Sequence, residues 1–306
     1  MGSLPTQFIN MLMLGSTYSL VAIGFSLFFG VMNVVVFCVG DVAIFAAYAV
    51  AGLVAFTSLQ YIVVGGGSLW LSAMTVIIAS LLTGLLMLIM YKVAIKPLAR
   101  KGSHMPLLST IAVGLALREG IAVFFPQGRN PVIFPALMPD MYFFNNPILS
   151  YRNLVILGAT VLILIGLYFF VSRTKPGLSV QAVAQNHEGA IMLGINSEAV
   201  VLVTLLLGGF VLGIGGYLLG SYYGMIRYEM GVMYGLKGFS AAVVGGIGNI
   251  NGAIVGGLLL ATVEVLMSAF VPGGTAYASI ASFIVVLLLL LTRPEGIMGK
   301  KTIENV

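Results

Sequence analysis

Charge is the residue class that this sequence most lacks. Of its 306 residues 8% are charged and 60% are hydrophobic, whereas an ordinary soluble domain carries about 25% charged residues. Such a chain does not stay dissolved in water. The composition predicts an all-α, polytopic transmembrane helical bundle that occupies 1–306 as a single domain. Nearly all of the length is needed for membrane spans, which leaves no room for an extramembrane catalytic domain.

Cysteine and histidine are almost absent as well. Cys38 is the single cysteine, which excludes an internal disulfide and a cysteine metal cluster. His104 and His187 lie far apart in loop-like sequence, which argues against a histidine metal site. No phosphate-binding G-x-x-x-x-G-K-[ST] motif and no Ser/His/Asp arrangement occurs. We therefore predict no metal, no cofactor and no enzymatic activity, and the net charge of +5 does not indicate nucleic-acid binding.

The apolar runs define the predicted spans. A membrane helix needs about 20 mostly apolar residues. The candidates are 7–29, 41–60, 69–91, 105–125, 151–172, 198–221, 252–270 and 276–292.

Two further apolar pieces, 30–40 and 238–248, have about 11 residues, which as helix is about half of a ~30 Å hydrocarbon core. We interpret them as parts of two broken helices, near 30–40 and 238–252, in a bundle of about 8–9 spans. Irregular backbone is tolerated at membrane depth when it is buried in protein.

The positions of Lys and Arg predict the orientation. None precedes Lys92, and the loop 92–104 carries four basic residues and no acid, which places it in the cytoplasm. Alternation then puts 173–197 inside and 222–237 outside. Arg293 and the lysines after it place the C-terminus in the cytoplasm, and the N-terminus is then external unless the break at 30–40 reverses it.

A polar segment, 179–198, interrupts the apolar sequence. We predict a cytoplasmic helix over 179–193 with Ser179 as its N-cap and Gly194 just past its end. Ser197 is expected to cap the next span. The polar face is formed by Gln181, Gln185 and Glu188, and the opposite face by Val180, Val183, Ala184 and Ile191.

Three roles for this helix remain open. It is a solvated connector, a membrane-surface anchor, or a helix that docks in a groove of a cytoplasmic protein. An anchor favours Lys and Arg on its polar face, and this face has neither. Small residues such as Gly189 and Ala190 permit close approach of a partner protein.

Two acids and two asparagines are candidates for a translocation pathway, because polar groups inside spans are functional candidates. They are Asp41, Asn249, Asn251 and Glu264. Asp41 follows the 30–40 break and is interpreted as a helix N-cap in preference to a pathway residue. Glu264 is expected to pair with a basic residue of a partner subunit or to face water.

Glycines surround the sequence NIN at 249–251. Gly245, Gly246, Gly252 and Gly256 are candidates for close helix packing, and Gly252-x-x-x-Gly256 has the small-residue spacing of such contacts. The alternative interpretation adds a discontinuous helix whose ends border the transport route.

Several segments resemble one known family. The E-G-A-x-x-x-G spacing from Glu188 to Gly194 is similar to the loop of bacterial ABC importer permeases that docks on the ATPase. The segments 15–48, 106–117, 181–196, 241–264 and 293–299 resemble, in order, the branched-chain amino acid permeases of the LivH and LivM type. One departure occurs where that family usually has N-F-A-H-G, since here 36–40 reads V-F-C-V-G.

The resemblance implies a permease subunit of the bacterial inner membrane, surrounded by lipid. It implies a second related permease, two cytoplasmic ATPases that bind the ATP, and an external solute-binding protein. The implied cargo is branched-chain or similar small hydrophobic amino acids. The ATPase-coupling residues would be Gln185, Glu188, Gly189, Ala190 and Gly194. The alternative function is a stand-alone ion-coupled secondary transporter or channel.

Overall fold

The computed structural model describes residues 4–56, 69–99, 105–126, 128–135 and 151–299. The helices are α1 Leu4–Met32, α2 Val39–Phe56, α3 Leu69–Met90, α4 Lys96–Ala99, α5 Met105–Phe124, α6 Tyr151–Arg173, α7 Lys175–Gln185, α8 His187–Met192, α9 Ser197–Tyr223, α10 Met230–Gly245, α11 Ile250–Phe270 and α12 Gly274–Thr292. A π-helical turn, Tyr91–Ile95, joins α3 to α4. Two short strands, β1 Val132–Ile133 and β2 Met225–Ile226, pair antiparallel.

Seven of these helices are long and apolar enough to cross a membrane, namely α1, α3, α5, α6, α9, α11 and α12. The helix α2 is apolar but shorter. With 16 residues, α10 is about 24 Å long. The prediction of an all-α, polytopic membrane protein is confirmed, and each of the eight predicted spans contains one of these helices.

The centre of the bundle is α1. In its most apolar stretch 89% of the residues are buried inside the protein, compared with 22% for α12. It packs against α9, α10 and α11. A Cβ at Gly257 of α11 would collide with Ser19 of α1, so these two backbones approach closely. Helices that expose most of their apolar residues, such as α12, are suited to face lipid.

The first helix break begins at the protein surface and leads into its interior, since Asn33 is exposed and Val36 is buried. After α1 ends at Met32, residues 33–38 are not helical, and Asn33 adopts a positive φ of 50°. The Phe37 amide donates a hydrogen bond to Thr110 Oγ1 of α5 at 3.2 Å. The Phe37 ring lies 5.6 Å from the ring of Phe239. The predicted break near 30–40 is therefore confirmed and is held by side chains of α5 and α10.

The second break is shorter than predicted. The piece expected to begin at 238 is the second half of α10, and the helix stops at Gly245. Gly246 and Gly248 have positive φ values of 104° and 87°, a conformation that favours glycine. The chain's later residues close this turn, because the Ile297 amide donates to Val244 O at 2.8 Å.

The helix bundle has two ends, one marked by α7 and α8 and the other by the strands β1 and β2. At the α7–α8 end, Lys96 pairs with Glu198 in the first turn of α9. A Cβ at Gly30, near the end of α1, would lie 3.5 Å from the Ala184 side chain. At the other end of α9 lie β2 and its partner β1. We call this the hairpin end.

The polar segment forms two helices where the sequence predicted one. The first begins at Lys175, before Ser179, because Thr174 caps it by accepting from the Gly177 amide at 3.2 Å. Pro176 is accommodated in the first turn, where its missing N–H costs nothing. Asn186 then interrupts the helix with φ −153° and caps α8.

The cap of α9 also differs from the prediction. Asn196, not Ser197, caps that helix by accepting a hydrogen bond from the Ala199 amide at 3.2 Å.

Candidate functional site

A buried ion pair lies within the helix bundle. Glu264 of α11 is 5% exposed, and its Oε1 lies 2.8 Å from Nζ of Lys237 on α10. The Tyr18 hydroxyl of α1 donates to Glu264 Oε2 at 2.8 Å. The Ser282 hydroxyl of α12 lies 3.1 Å from Oε1 and shares its single proton with the Ser279 carbonyl oxygen at 2.8 Å. We call Tyr18, Lys237, Glu264 and Ser282 the ionic network.

The ionic network joins four helices and is electrically neutral as a whole. Lys237 also donates to the Tyr18 hydroxyl at 2.9 Å, so its ammonium group has partners on α1 and α11. Removing one member of a buried ion pair leaves an uncompensated charge and is strongly destabilising. The network therefore fastens α1, α10, α11 and α12 together.

The partner of Glu264 differs from the expectation. The sequence suggested a basic residue of another subunit, or water, whereas the structure provides Lys237 of the same chain. The reason is that α10 begins at Met230 and therefore includes Lys237. Because 222–237 was interpreted as an external loop, Lys237 was not recognised as a residue within a helix. The sequence feature that points to a buried Lys237 is its position as one lysine inside the apolar run 232–248.

A cavity of about 260 Å³ adjoins the ionic network at the hairpin end. It is lined by Tyr18, Leu219, Tyr223, Arg227, Glu229, Met230, Met233, Tyr234 and Lys237. Tyr18 and Lys237 are buried at its floor, whereas Arg227 and Glu229 are exposed at its mouth. The neighbouring Tyr228 hydroxyl is hydrogen-bonded to Glu229, which raises the pKa of that tyrosine. Sequence reasoning did not identify this cavity, since α1, α9 and α10 assemble it from distant segments.

Asp41 occupies a cradle of glycines. It is the third residue of α2, in the first turn, and lies three positions past the N-cap position at Cys38, so the expected N-cap role is wrong. A Cβ added at Gly114 of α5 would lie 2.6 Å from its Oδ2, and one at Gly231 of α10 would lie 2.5 Å from its Oδ1. The Asp41 Oδ1 is buried and has no hydrogen-bond partner among the described residues.

The two asparagines lie at the α7–α8 end. Asn249 caps α11, because its Oδ1 accepts from the Asn251 amide at 3.0 Å and the Gly252 amide at 3.3 Å. Its Nδ2 donates to Met298 O at 2.9 Å. Asn251 is exposed. The structure thus gives Asn249 a capping role and separates both residues from Asp41 and Glu264.

The glycines of the second break bring two backbones together. A Cβ at Gly245 would collide with the carbonyl oxygen of Gly252, and one at Gly256 would collide with that of Ala241. A Cβ at Gly246 would lie 2.7 Å from the Gly299 amide nitrogen. The contact between α10 and α11 therefore has no space for larger residues.

The coupling candidates divide between surface and interior. Gln185 and Glu188 are exposed, whereas Ala190 is 3% exposed. The Gly189 amide donates to Asn186 Oδ1 at 2.9 Å. Gly194 has a φ of 81° with open space around it, as expected for the residue that ends a helix.

An exposed apolar surface accompanies these residues. Met192 is 86% exposed and Leu193 is 83% exposed, and Leu178 and Ile191 are about half exposed. We call these four residues the apolar patch. Ile191 is expected on the buried face together with Ala184, but both are exposed. For Ile191 the reason is the break at Asn186, which changes the register of the second helix. Sequence reasoning also missed Met192 and Leu193.

The opposite face of α7 packs on the bundle. Val180 and Val183 are buried, and Gln181 Nε2 donates to Val171 O of α6 at 3.2 Å. The same helix contacts the end of α1, which leads directly into the first break. This helix therefore lies against the end of α1 from which residues 33–38 continue.

Comparison with known proteins identifies the family. A family model described as branched-chain amino acid transport system, permease component, matches residues 7–291. The chain belongs to this family. A permease protein of a high-affinity branched-chain amino acid transport system, BraD of Pseudomonas aeruginosa, is 33% identical over 98% of this chain and 97% of the relative. The corresponding LivH proteins of Salmonella typhimurium and Escherichia coli are 30% identical over the same shares.

The resemblance predicted from the sequence is thus confirmed, and the permease is a multi-pass membrane component of a transport family. The two valines that stand where the resemblance has polar residues, Val36 and Val39, are both buried in or beside the first break. They lie within five residues of Asp41 in the sequence.

Proposed function

We propose that this permease moves branched-chain or similar small hydrophobic amino acids into the cytoplasm of a bacterium. It does so in the inner membrane, together with a second related permease, an external solute-binding protein and two cytoplasmic ATPases. The ATPases bind the ATP, and the permease itself carries no cofactor. The names of BraD and LivH support the cargo, since both relatives belong to branched-chain amino acid transport systems.

The apolar patch is the observation that carries the ATP-driven mechanism. Exposed apolar surface bordered by polar residues is typical of protein interaction sites. Here Met192 and Leu193 lie beside the exposed Glu188, in the segment that resembles the ATPase-docking loop. We infer that the apolar patch enters a groove of the ATPase, with Gln185 and Glu188 at the polar rim.

The charge distribution supports a cytoplasmic location of this end. Basic residues are enriched on the cytoplasmic side of membrane proteins. The α7–α8 end carries Lys92, Lys96, Arg173, Lys175 and Arg293. With this orientation the C-terminus is cytoplasmic, and the hairpin end faces the solute-binding protein.

The route of coupling follows from the contacts of α7. Closure of the ATPases displaces α7 and α8, and α7 transmits the movement to the end of α1 and the first break. Non-helical backbone between two helices is able to absorb the change of angle. Because Asp41 follows this break without a partner for Oδ1, it changes its surroundings at little energetic cost.

A second candidate function is a stand-alone, ion-coupled transporter. One observation favours it, namely the buried carboxylate of Asp41, since ion-coupled carriers use ionisable groups within their spans.

Reconstitution into liposomes separates the two functions. The complete transporter, with the solute-binding protein outside and ATP inside, is expected to accumulate leucine. The permease alone, under a sodium or proton gradient, is expected to accumulate none. The reverse result would establish the ion-coupled alternative and reject the ATP-driven one.

Substitutions at the α7–α8 end test the coupling residues. Glu188→Arg and Gly194→Trp are expected to abolish uptake while the permease remains in the membrane. Glu295→Arg reverses an exposed charge at the same end, outside these two helices, and is the matched control. Full uptake by the two variants would contradict the coupling role.

A further inference from the structure

We propose that the cavity at the hairpin end is a binding site for one free amino acid in its zwitterionic form. Arg227 binds the α-carboxylate, Glu229 binds the α-ammonium group, and the apolar walls receive the side chain. This inference rests on the proposed function for the class of cargo, and it adds a site within the permease itself.

The size of the cavity selects a small ligand. Its volume of about 260 Å³ is below the range of ~300–1,000 Å³ that is typical for drug-sized molecules. Leu219, Met230 and Met233 provide apolar lining between the mouth and the floor. Methionine side chains adapt to differently branched partners, which suits a site for several aliphatic amino acids.

The mouth carries one charge of each sign. Arg227 and Glu229 are two residues apart and exposed, and neither forms an ion pair with another described residue. Guanidinium groups bind carboxylates through paired hydrogen bonds, and a carboxylate has lone pairs for more than one donor. Glu229 therefore accepts from an ammonium group in addition to Tyr228.

The positive charge of Lys237 at the floor of the cavity is balanced by the carboxylate of Glu264. Lys237 is bonded to Glu264 and Tyr18, so it presents a polar, neutral surface to the ligand and does not compete with Arg227 for the carboxylate. Lys237 lies eight residues beyond Glu229 on the α10 side, about 12 Å along a helix axis. That depth accommodates an aliphatic side chain that points inward from the mouth.

The test is leucine binding to the detergent-solubilised transporter complex without its solute-binding protein. Radiolabelled leucine is expected to bind saturably. Leucine methyl ester, which lacks the carboxylate, and 4-methylpentanoate, which lacks the ammonium group, are expected to compete poorly. Arg227→Gln and Glu229→Gln should each weaken binding by about tenfold or more, because hydrogen bonds to charged groups are lost.

Two controls separate this site from nonspecific effects. Arg129→Gln removes an exposed positive charge at the same end but outside the cavity lining, and it is expected to leave binding unchanged. Met233→Trp fills the cavity and should abolish binding, whereas Met233→Leu retains it.

Unchanged leucine binding in the Arg227, Glu229 and tryptophan variants would overturn the proposed site, as would absence of leucine binding to the complex. If the complete transporter still accumulates leucine in that case, the proposed function stands and the site alone is rejected. If the complete transporter accumulates no leucine, the proposed function fails first.

Discussion

Two buried carboxylates of this permease have opposite surroundings. Glu264 accepts hydrogen bonds from Tyr18, Lys237 and Ser282, whereas Asp41 keeps one oxygen without a partner between Gly114 and Gly231. The first arrangement fixes four helices relative to one another. The second leaves a polar group close to a break in the backbone, where a change of conformation breaks no hydrogen bond at Oδ1. In the proposed coupling route, Glu264 supports the rigid unit and Asp41 belongs to the part that moves.

The largest expected effect is on the ionic network. Lys237→Met leaves the Glu264 carboxylate buried without its counter-charge, and we expect the free energy of unfolding to fall by about 3–5 kcal/mol. Thermal unfolding of the purified permease in detergent measures this loss. The double variant Lys237→Met/Glu264→Met removes both charges and should recover most of it. A double variant no more stable than the single one would show that the ion pair is not the cause.

Ser282→Ala should have a smaller effect. It removes a hydroxyl whose proton is shared between the Glu264 carboxylate and the Ser279 carbonyl oxygen, and we expect a loss of about 1 kcal/mol in the free energy of unfolding. Ser268→Ala is the matched control, because that hydroxyl donates only to the backbone oxygen of Glu264 and the residue is exposed. Equal losses in the two variants would remove the case for Ser282 as a member of the network.

Of these variants, Asp41→Asn should change the free energy of unfolding least and leucine uptake most. The unfolding free energy is expected to stay within about 1 kcal/mol of the original, because the amide nitrogen of asparagine can take the place of Oδ1, which makes no hydrogen bond. Leucine uptake by the complete transporter is expected to fall strongly. Unfolding in detergent and uptake in liposomes measure the two quantities, and a large loss of stability with normal uptake would reverse the comparison with Glu264.

Much of the fold follows from the sequence because apolar runs of sufficient length have few alternatives in a membrane. The break after Met32 was predicted near 30–40 since the apolar piece there is too short to span. The start of α10 at Met230 was not predicted, because the polar residues at 227–229 extended the apparent loop. The helix α7 begins before Ser179, because Pro176 fits its first turn and Thr174 supplies the cap.

The candidate site was less accessible to sequence reasoning. Glu264 and Asp41 stand out as acids in apolar runs, so they were identified. Their surroundings depend on distant residues: Tyr18 is separated from Glu264 by 246 positions and Lys237 by 27. The apolar patch also escaped prediction, because the continuous helix expected over 179–193 placed Ile191 on its buried face.

The most direct test of the account concerns the apolar patch, through which ATP hydrolysis would drive transport. Met192→Glu/Leu193→Glu places two charges on that surface, and Met298→Glu places one on another exposed methionine of the same end. Copurification of the ATPase subunits with the permease, quantified against the original chain, is the measurement. We expect the double variant to lose the ATPases and the control to retain them. Full retention by the double variant would contradict docking at α7 and α8.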